Sequence, residues 1–91
     1  MPFMVMRADV GDYEVWKAMF DSDPAGRKQA AKGHRIMRSV EDPSEVFVQL
    51  EFASTDEANA FREKLLASGA LDRITVKNGP TVTDVADVAV Y

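Results

Sequence analysis

Two short segments of this sequence are apolar on both of their faces. The first is Phe3-Met4-Val5-Met6, and the second is Val46-Phe47-Val48 continued by Leu50 and Phe52. Successive strand side chains point to opposite faces of a sheet, so an unbroken apolar run needs cover on both sides. The sequence holds only two long helix-forming stretches, enough to cover one face of a small sheet. The simplest cover for the other face is a second copy of the chain. The pattern therefore predicts a small sheet, two helices on one side, and a homodimer.

Phe3 to Arg7 reads as the first strand and Val10 to Phe20 as the first helix. Asp9 or Gly11 can start that helix, and Asp12 and Glu14 suit the positive end of its dipole. Tyr13, Val15, Trp16, Met19 and Phe20 form its apolar stripe. The run from Asp21 to Gly26 is rich in turn formers and stops it. Arg27 to Lys32 reads as loop with room for one helical turn. Gly33 to Glu41 and Glu45 to Ala53 read as a hairpin across Asp42-Pro43-Ser44. Ser54 and Glu57 form a capping box that opens a second helix from Thr55 to Ala67. Ala58, Phe61, Leu65 and Leu66 are its buried stripe, and Gly69 its stop. Ala70 to Pro80 reads as a short helix or turn, with Ile74-Thr75-Val76 before Asn78-Gly79 as a strand alternative. Thr81 to Val90 alternates and reads as the last strand. The order is the ferredoxin-like βαββαβ arrangement in one α+β domain: an antiparallel sheet with both helices on one face.

Charge and composition narrow the function classes. A net charge of −4 disfavours non-specific nucleic-acid binding, and no zinc-finger or aromatic-rich recognition motif is present. No apolar run approaches the ~20 residues that span a bilayer. The N-terminal residues lack the order of a signal peptide, so the expected location is the cytoplasm. The absence of cysteine removes disulfides, thiolate metal sites and a cysteine nucleophile. One histidine and scattered carboxylates offer no metal-ligand spacing, and no glycine-rich phosphate cradle is present, so no cofactor is expected. The charge is uneven, however. Arg27, Lys28, Lys32, Arg35 and Arg38 fall with His34 in a stretch without any acid. Such a run is either a solvated surface or an anion site for a carboxylate or phosphate.

The hairpin register sets which side chains share the open face. A two- or four-residue turn places Val40 opposite Phe47, Arg38 opposite Gln49 and Ile36 opposite Glu51. His34, Ile36, Arg38, Val40, Phe47, Gln49 and Glu51 then form the open face, while Arg35, Met37, Ser39, Val48, Leu50 and Phe52 meet the helices. On this reading His34 is a candidate general base, diagonal to Glu51. Arg38, Gln49 and Glu51 are candidate ligand-binding groups, with Arg38–Glu51 alternatively a cross-strand ion pair closing a dimer interface. Trp16 is a candidate ligand platform or, with Phe20, part of the core.

The element order, the helix beginning Tyr13-Glu14-Val15-Trp16, and the third strand entering a capped helix resemble the dimeric α+β barrel superfamily. Its members include antibiotic-biosynthesis monooxygenases and muconolactone-isomerase-like proteins. Phe20-Asp21, Pro24, Gly26-Arg27 and Gly33 resemble a set of small bacterial proteins of that superfamily. The resemblance implies two sheets packed face to face across a dimer axis, with ligands between sheet and helices or at the sheet edge. The residue sets of the haem-degrading and quinone-forming members do not map onto this chain: its first strand has no Asn, and its only Trp is Trp16. The resulting expectation is a homodimer that binds a small hydrophobic or aromatic anionic metabolite. Its chemistry would be that of a cofactor-independent monooxygenase or isomerase/cyclase. The alternative is a non-catalytic dimer whose sheet face serves self-association alone.

Overall fold

The structure, a computed structural model, describes residues 1–91. The elements are β1 (Phe3–Asp9), α1 (Tyr13–Asp21), α2 (Arg27–Ala30), β2 (Gly33–Arg38), β3 (Glu45–Glu51), α3 (Thr55–Ala67) and β4 (Thr75–Thr83). The strands form one antiparallel sheet in the order β2-β3-β1-β4, the ferredoxin-like topology.

The two central strands behave as their double-faced patterns require. Met4 lies opposite Leu50, Met6 opposite Val48 and Ala8 opposite Val46. All six are buried and join Trp16 of α1, Ala58 and Phe61 of α3, and Phe52 in one core. The alternate residues Phe3, Val5 and Phe47 face the other way and are half-buried. Ser54 caps α3 by accepting from the Glu57 amide, as the capping box predicts. The start of α1 shifts by a few residues. β1 continues to Asp9, whose carboxylate accepts from the Gly11 amide, and Asp12 becomes the cap by accepting from the Val15 amide. One turn of helix, α2, does form within the basic stretch.

The hairpin departs from its expected register. The Ser39 amide donates to the Glu45 carbonyl at 3.0 Å, which closes a five-residue loop from Val40 to Ser44. Inside it the Asp42 carboxylate accepts from the Ser44 amide and hydroxyl, while the Ser39 hydroxyl accepts from the Asp42 amide. This side-chain scaffold stabilises an odd loop in place of a two- or four-residue turn. An odd shift exchanges the faces of one strand. β3 keeps its expected facing, but β2 is inverted. Arg35 now lies opposite Gln49 and Met37 opposite Phe47 on the open face, while His34, Ile36 and Arg38 lie opposite Leu50, Val48 and Val46 on the helix side.

The last strand is also relocated. It spans Thr75–Thr83 rather than Thr81 to Val90, and residues 84–91 follow with no secondary structure. Asn78-Gly79 has the composition of a turn, yet the strand passes through it as a bulge, with the register against β1 slipping on both sides of Arg7. Gly79 makes this possible: its φ is +85°, and a Cβ there would lie 2.5 Å from the Val5 carbonyl oxygen. Gly79→Ala should therefore destabilise the fold by about 1–3 kcal/mol, the usual range for strained backbone. Urea unfolding would measure this, and a loss below about 0.5 kcal/mol would contradict the close approach of β4 to β1.

Candidate functional site

Helix α1 lays a row of rings across the helix side of the inverted strand β2. Tyr13, Trp16 and Phe20 stand three and four residues apart, on one helical face. Tyr13 and Trp16 have centroids 5.9 Å apart, and Trp16 and Phe20 5.2 Å. The His34 ring meets Phe20 edge-on at 5.2 Å. At the other end the Arg38 guanidinium lies 4.1 Å over the Tyr13 ring and donates to the Pro43 carbonyl at 3.0 Å. The register of β2 follows from this packing: its helix-side residues lie beneath an aromatic row that takes cations and a ring edge well.

Behind the row, between sheet and helices, is a cavity of about 60 Å³. Met4, Met6, Val48 and Leu50 form its floor, Trp16, Met19, Phe20, Phe61 and Leu65 its walls, and the loops around Pro24-Ala25 and Ala70-Leu71 its rim. Only two charged residues line it, Asp23 and Arg27. Asp23 is engaged by the Lys28 amide at 3.2 Å. Arg27 is the unusual one. It is only 6% exposed, its guanidinium lies 3.7 Å over the Phe20 ring, and it donates to the Phe20 carbonyl at 3.3 Å. It makes no ion pair within 4 Å. A guanidinium carries five N–H donors and is always charged, so its contacts here are a ring face and one carbonyl, while the Asp21 carboxylate acts on its charge only from beyond ion-pair distance.

The expected site residues divide among three places. Trp16 lines the cavity. His34, Gln49 and Glu51 border a separate polar hollow at the end of β2, with Phe3 and Arg35 and with Gly33 opposite Glu51. Arg38 sits at the far end of β2 against Tyr13, so the Arg38–Glu51 pair does not form. The inverted register gives His34 and Glu51 opposite facings, and although both border the hollow no hydrogen bond or ion pair joins them, so the His34–Glu51 dyad does not form. Arg27 was within the basic run that the sequence marks as an anion site, but nothing in that run distinguishes it from Lys28 or Lys32. Its burial depends on the turn that Gly26, at φ +77°, sets under α1. No group of three or more His, Asp or Glu side chains is placed to hold a metal ion.

Electrostatics couple the two compartments. Burial against Phe20 lowers the His34 pKa below its ordinary 6.5, and the nearby Arg27 and Lys17 charges lower it further, with Asp21 partly offsetting them. A histidine whose folded pKa is depressed leaves stability intact above the unfolded value and erodes it as pH falls through ~6.5 toward the folded value. The imidazole titration followed by NMR should show a midpoint below 6.5, and Arg27→Met should move it upward. A midpoint at or above 6.5 in the unmodified chain would contradict the burial of His34 against Phe20, and an unchanged midpoint in Arg27→Met would contradict the placement of Arg27 beside it.

No protein-family model matches this sequence, and no functionally curated protein does. Among solved structures, the chain is similar to one named "Putative antibiotic biosynthesis monooxygenase from Nitrosomonas europaea", with a TM-score of 0.51 and 16% sequence identity. The match covers 87% of this chain and 90% of that one. No helix is long and apolar enough to cross a membrane. By fold, the chain stands with the ferredoxin-like α+β structures to which that monooxygenase-type protein belongs.

Proposed function

We propose that the protein is a cytoplasmic homodimer that binds a small hydrophobic or aromatic anion in the cavity between its sheet and helices. The observation that carries this reading is Arg27, a buried cation with no carboxylate in ion-pair contact at the wall of an apolar cavity. A carboxylate, phenolate or enolate on an otherwise apolar ligand supplies that ion pair, and the methionine and aromatic walls supply the contact area. The cavity is less than half the ~150 Å³ that admits benzene in an engineered core. Met4, Met6 and Met19 line it, and their flexible thioethers can shift to enlarge it.

The chemistry that suits such a site is the activation of a bound enol or phenol. A guanidinium in a water-poor cavity favours binding of the ligand as its anion, with the enol or phenol proton released to solvent water, and the anion is the form that reacts with oxygen or undergoes isomerisation. The monooxygenase-type name of the similar structure is consistent with the first of these. His34 stands behind Phe20 and outside the cavity, so in this reading the residue that matters is Arg27, with His34 as its electrostatic neighbour.

The dimer rests on the open face of the sheet. Phe3, Val5, Met37 and Phe47 form an apolar strip there. It is flanked at one end by Glu45, held between Arg7 at 3.4 Å and Lys77 at 3.1 Å. At the other end are Arg35, Gln49 and Glu51. Covering this face with a second copy would bury on the order of 1,600 Å², the size of a stable interface. Light scattering at micromolar concentration should give twice the 10.1 kDa chain mass; a monomer there would remove the barrel reading.

Ligand binding has its own test. Thermal shift with naphthoate and the matched naphthamide should show stabilisation by the acid alone. Arg27→Met should weaken naphthoate binding by about 10–100-fold, the usual worth of a charge-assisted hydrogen bond, while keeping the protein folded. Equal stabilisation by acid and amide, or unchanged affinity in the Met variant, would leave the cavity as core packing in a non-catalytic dimer.

A further inference from the structure

Arg27 lines a second hollow besides the apolar cavity. It lies where α2 runs into β2 and measures about 200 Å³. Its lining is Arg27, Lys28, Ala31, Lys32, Gly33 and His34. Much of the basic stretch thus gathers around a concave surface, where like charges reinforce one another's field. No acid takes part in the lining. The acids just before α2 are engaged elsewhere: Asp21 pairs with Lys17 at 2.6 Å, and Asp23 accepts from the Lys28 amide at 3.2 Å.

The donors around this hollow are largely unused. Neither Lys28 nor Lys32 forms an ion pair. The Lys28 ammonium reaches only the Asp21 carbonyl, at 3.3 Å. Arg27, 6% exposed, donates only to the Phe20 carbonyl. The backbone adds one more donor. The Ala31 and Lys32 amides are taken by the Arg27 and Glu51 carbonyls at 2.8 and 2.7 Å. The Ser39 amide pairs inward with Glu45, so ladder alternation turns the His34 amide off the edge of the sheet.

The donor supply selects the ligand class. A carboxylate offers about four acceptor positions and one charge, fewer than these three cations provide for. A phosphoryl group carries close to two charges and more acceptor oxygens, and it suits a cluster of Lys and Arg. We propose that the hollow between α2 and β2 is a binding site for a phosphate-class dianion, separate from the apolar cavity and sharing only Arg27 with it. The dianion is free phosphate or the phosphoryl end of an organic molecule. Lys28 and Lys32 hold it from the solvent side, and Arg27 supplies the buried charge beneath.

The test is an NMR titration of the full chain with inorganic phosphate at fixed neutral pH and ionic strength, with acetate as the single-charge comparison. Phosphate should give saturable shifts centred on residues 27–34 and on the His34 ring, the only imidazole of the chain. Acetate should bind at least about fivefold more weakly. Lys28→Gln and Lys32→Gln should each weaken phosphate by at least about fivefold. Arg35→Gln removes the same charge from the opposite face of β2 and should change it less than about twofold. Phenyl phosphate separates the two sources. Tighter binding than inorganic phosphate, with a shift of the Trp16 ring N–H in the cavity wall, marks the phosphoryl end of a larger ligand; equal affinity with Trp16 unmoved marks free phosphate. Shifts that never saturate, or equal weakening by Arg35→Gln and Lys32→Gln, would reduce the hollow to diffuse surface charge and overturn the site. Acetate binding as well as phosphate would overturn the dianion. Neither Lys28 nor Lys32 lines the apolar cavity, so those failures would leave naphthoate binding, and the reading above, standing.

Discussion

The antiparallel pairing of β1 with β3 is the constraint on which the other parts depend. Its register puts Met4, Met6, Ala8, Val46, Val48 and Leu50 on one face, where they meet Trp16, Phe61 and Phe52. A slip of one residue would turn one of the two strands over, bringing either Phe3, Val5 and Arg7 or Phe47, Gln49 and Glu51 under the helices in place of that strand's core residues. Burying those polar groups without partners is costly, so the core selects one register. Both edge strands, the cavity and the aromatic row of α1 are then positioned from that central pair.

Within this frame the buried arginine is an expense that packing alone does not explain. An apolar residue in place of Arg27 would fill the same space beneath α1 without desolvating a charge. Its guanidinium has a face, covered by Phe20, and an edge, which reaches only the Phe20 carbonyl. Phe20 therefore serves as a partition. One side of the ring bounds the cavity and carries the cation, while its contact with His34 lies in the outer compartment.

Most of the fold was legible because local signals and long-range packing agreed. The double-faced strands, the Ser54 capping box and the order of elements each demanded the same arrangement. The features that could not be read depend on loops whose closure is set by side chains. Asp42 and Ser39 stabilise a five-residue hairpin loop that the dipeptide signals of short turns do not encode. Asn78-Gly79 has the composition of a turn but, next to Pro80 and against β1, acts as a bulge inside a strand. The candidate site was legible as a class, a basic stretch suited to an anion, but not as a residue. Burial distinguishes Arg27 from Lys28 and Lys32, and burial comes from the placement of α2 under Phe20 rather than from spacing.

The hairpin loop has an evolutionary consequence. Between Ser39 and Glu45 the parity of the loop, rather than its sequence, decides which half of β2 faces the helices. Indels of two residues preserve the assignment, and indels of one exchange it. A single codon gained or lost there would present His34, Ile36 and Arg38 to whatever covers the open sheet and turn Arg35 and Met37 toward α1. The central strands and their core would stay in place. Homologous chains with odd and even loops would thus share a fold and a cavity floor while differing in their outer surface, a divergence visible as a length polymorphism rather than as substitutions.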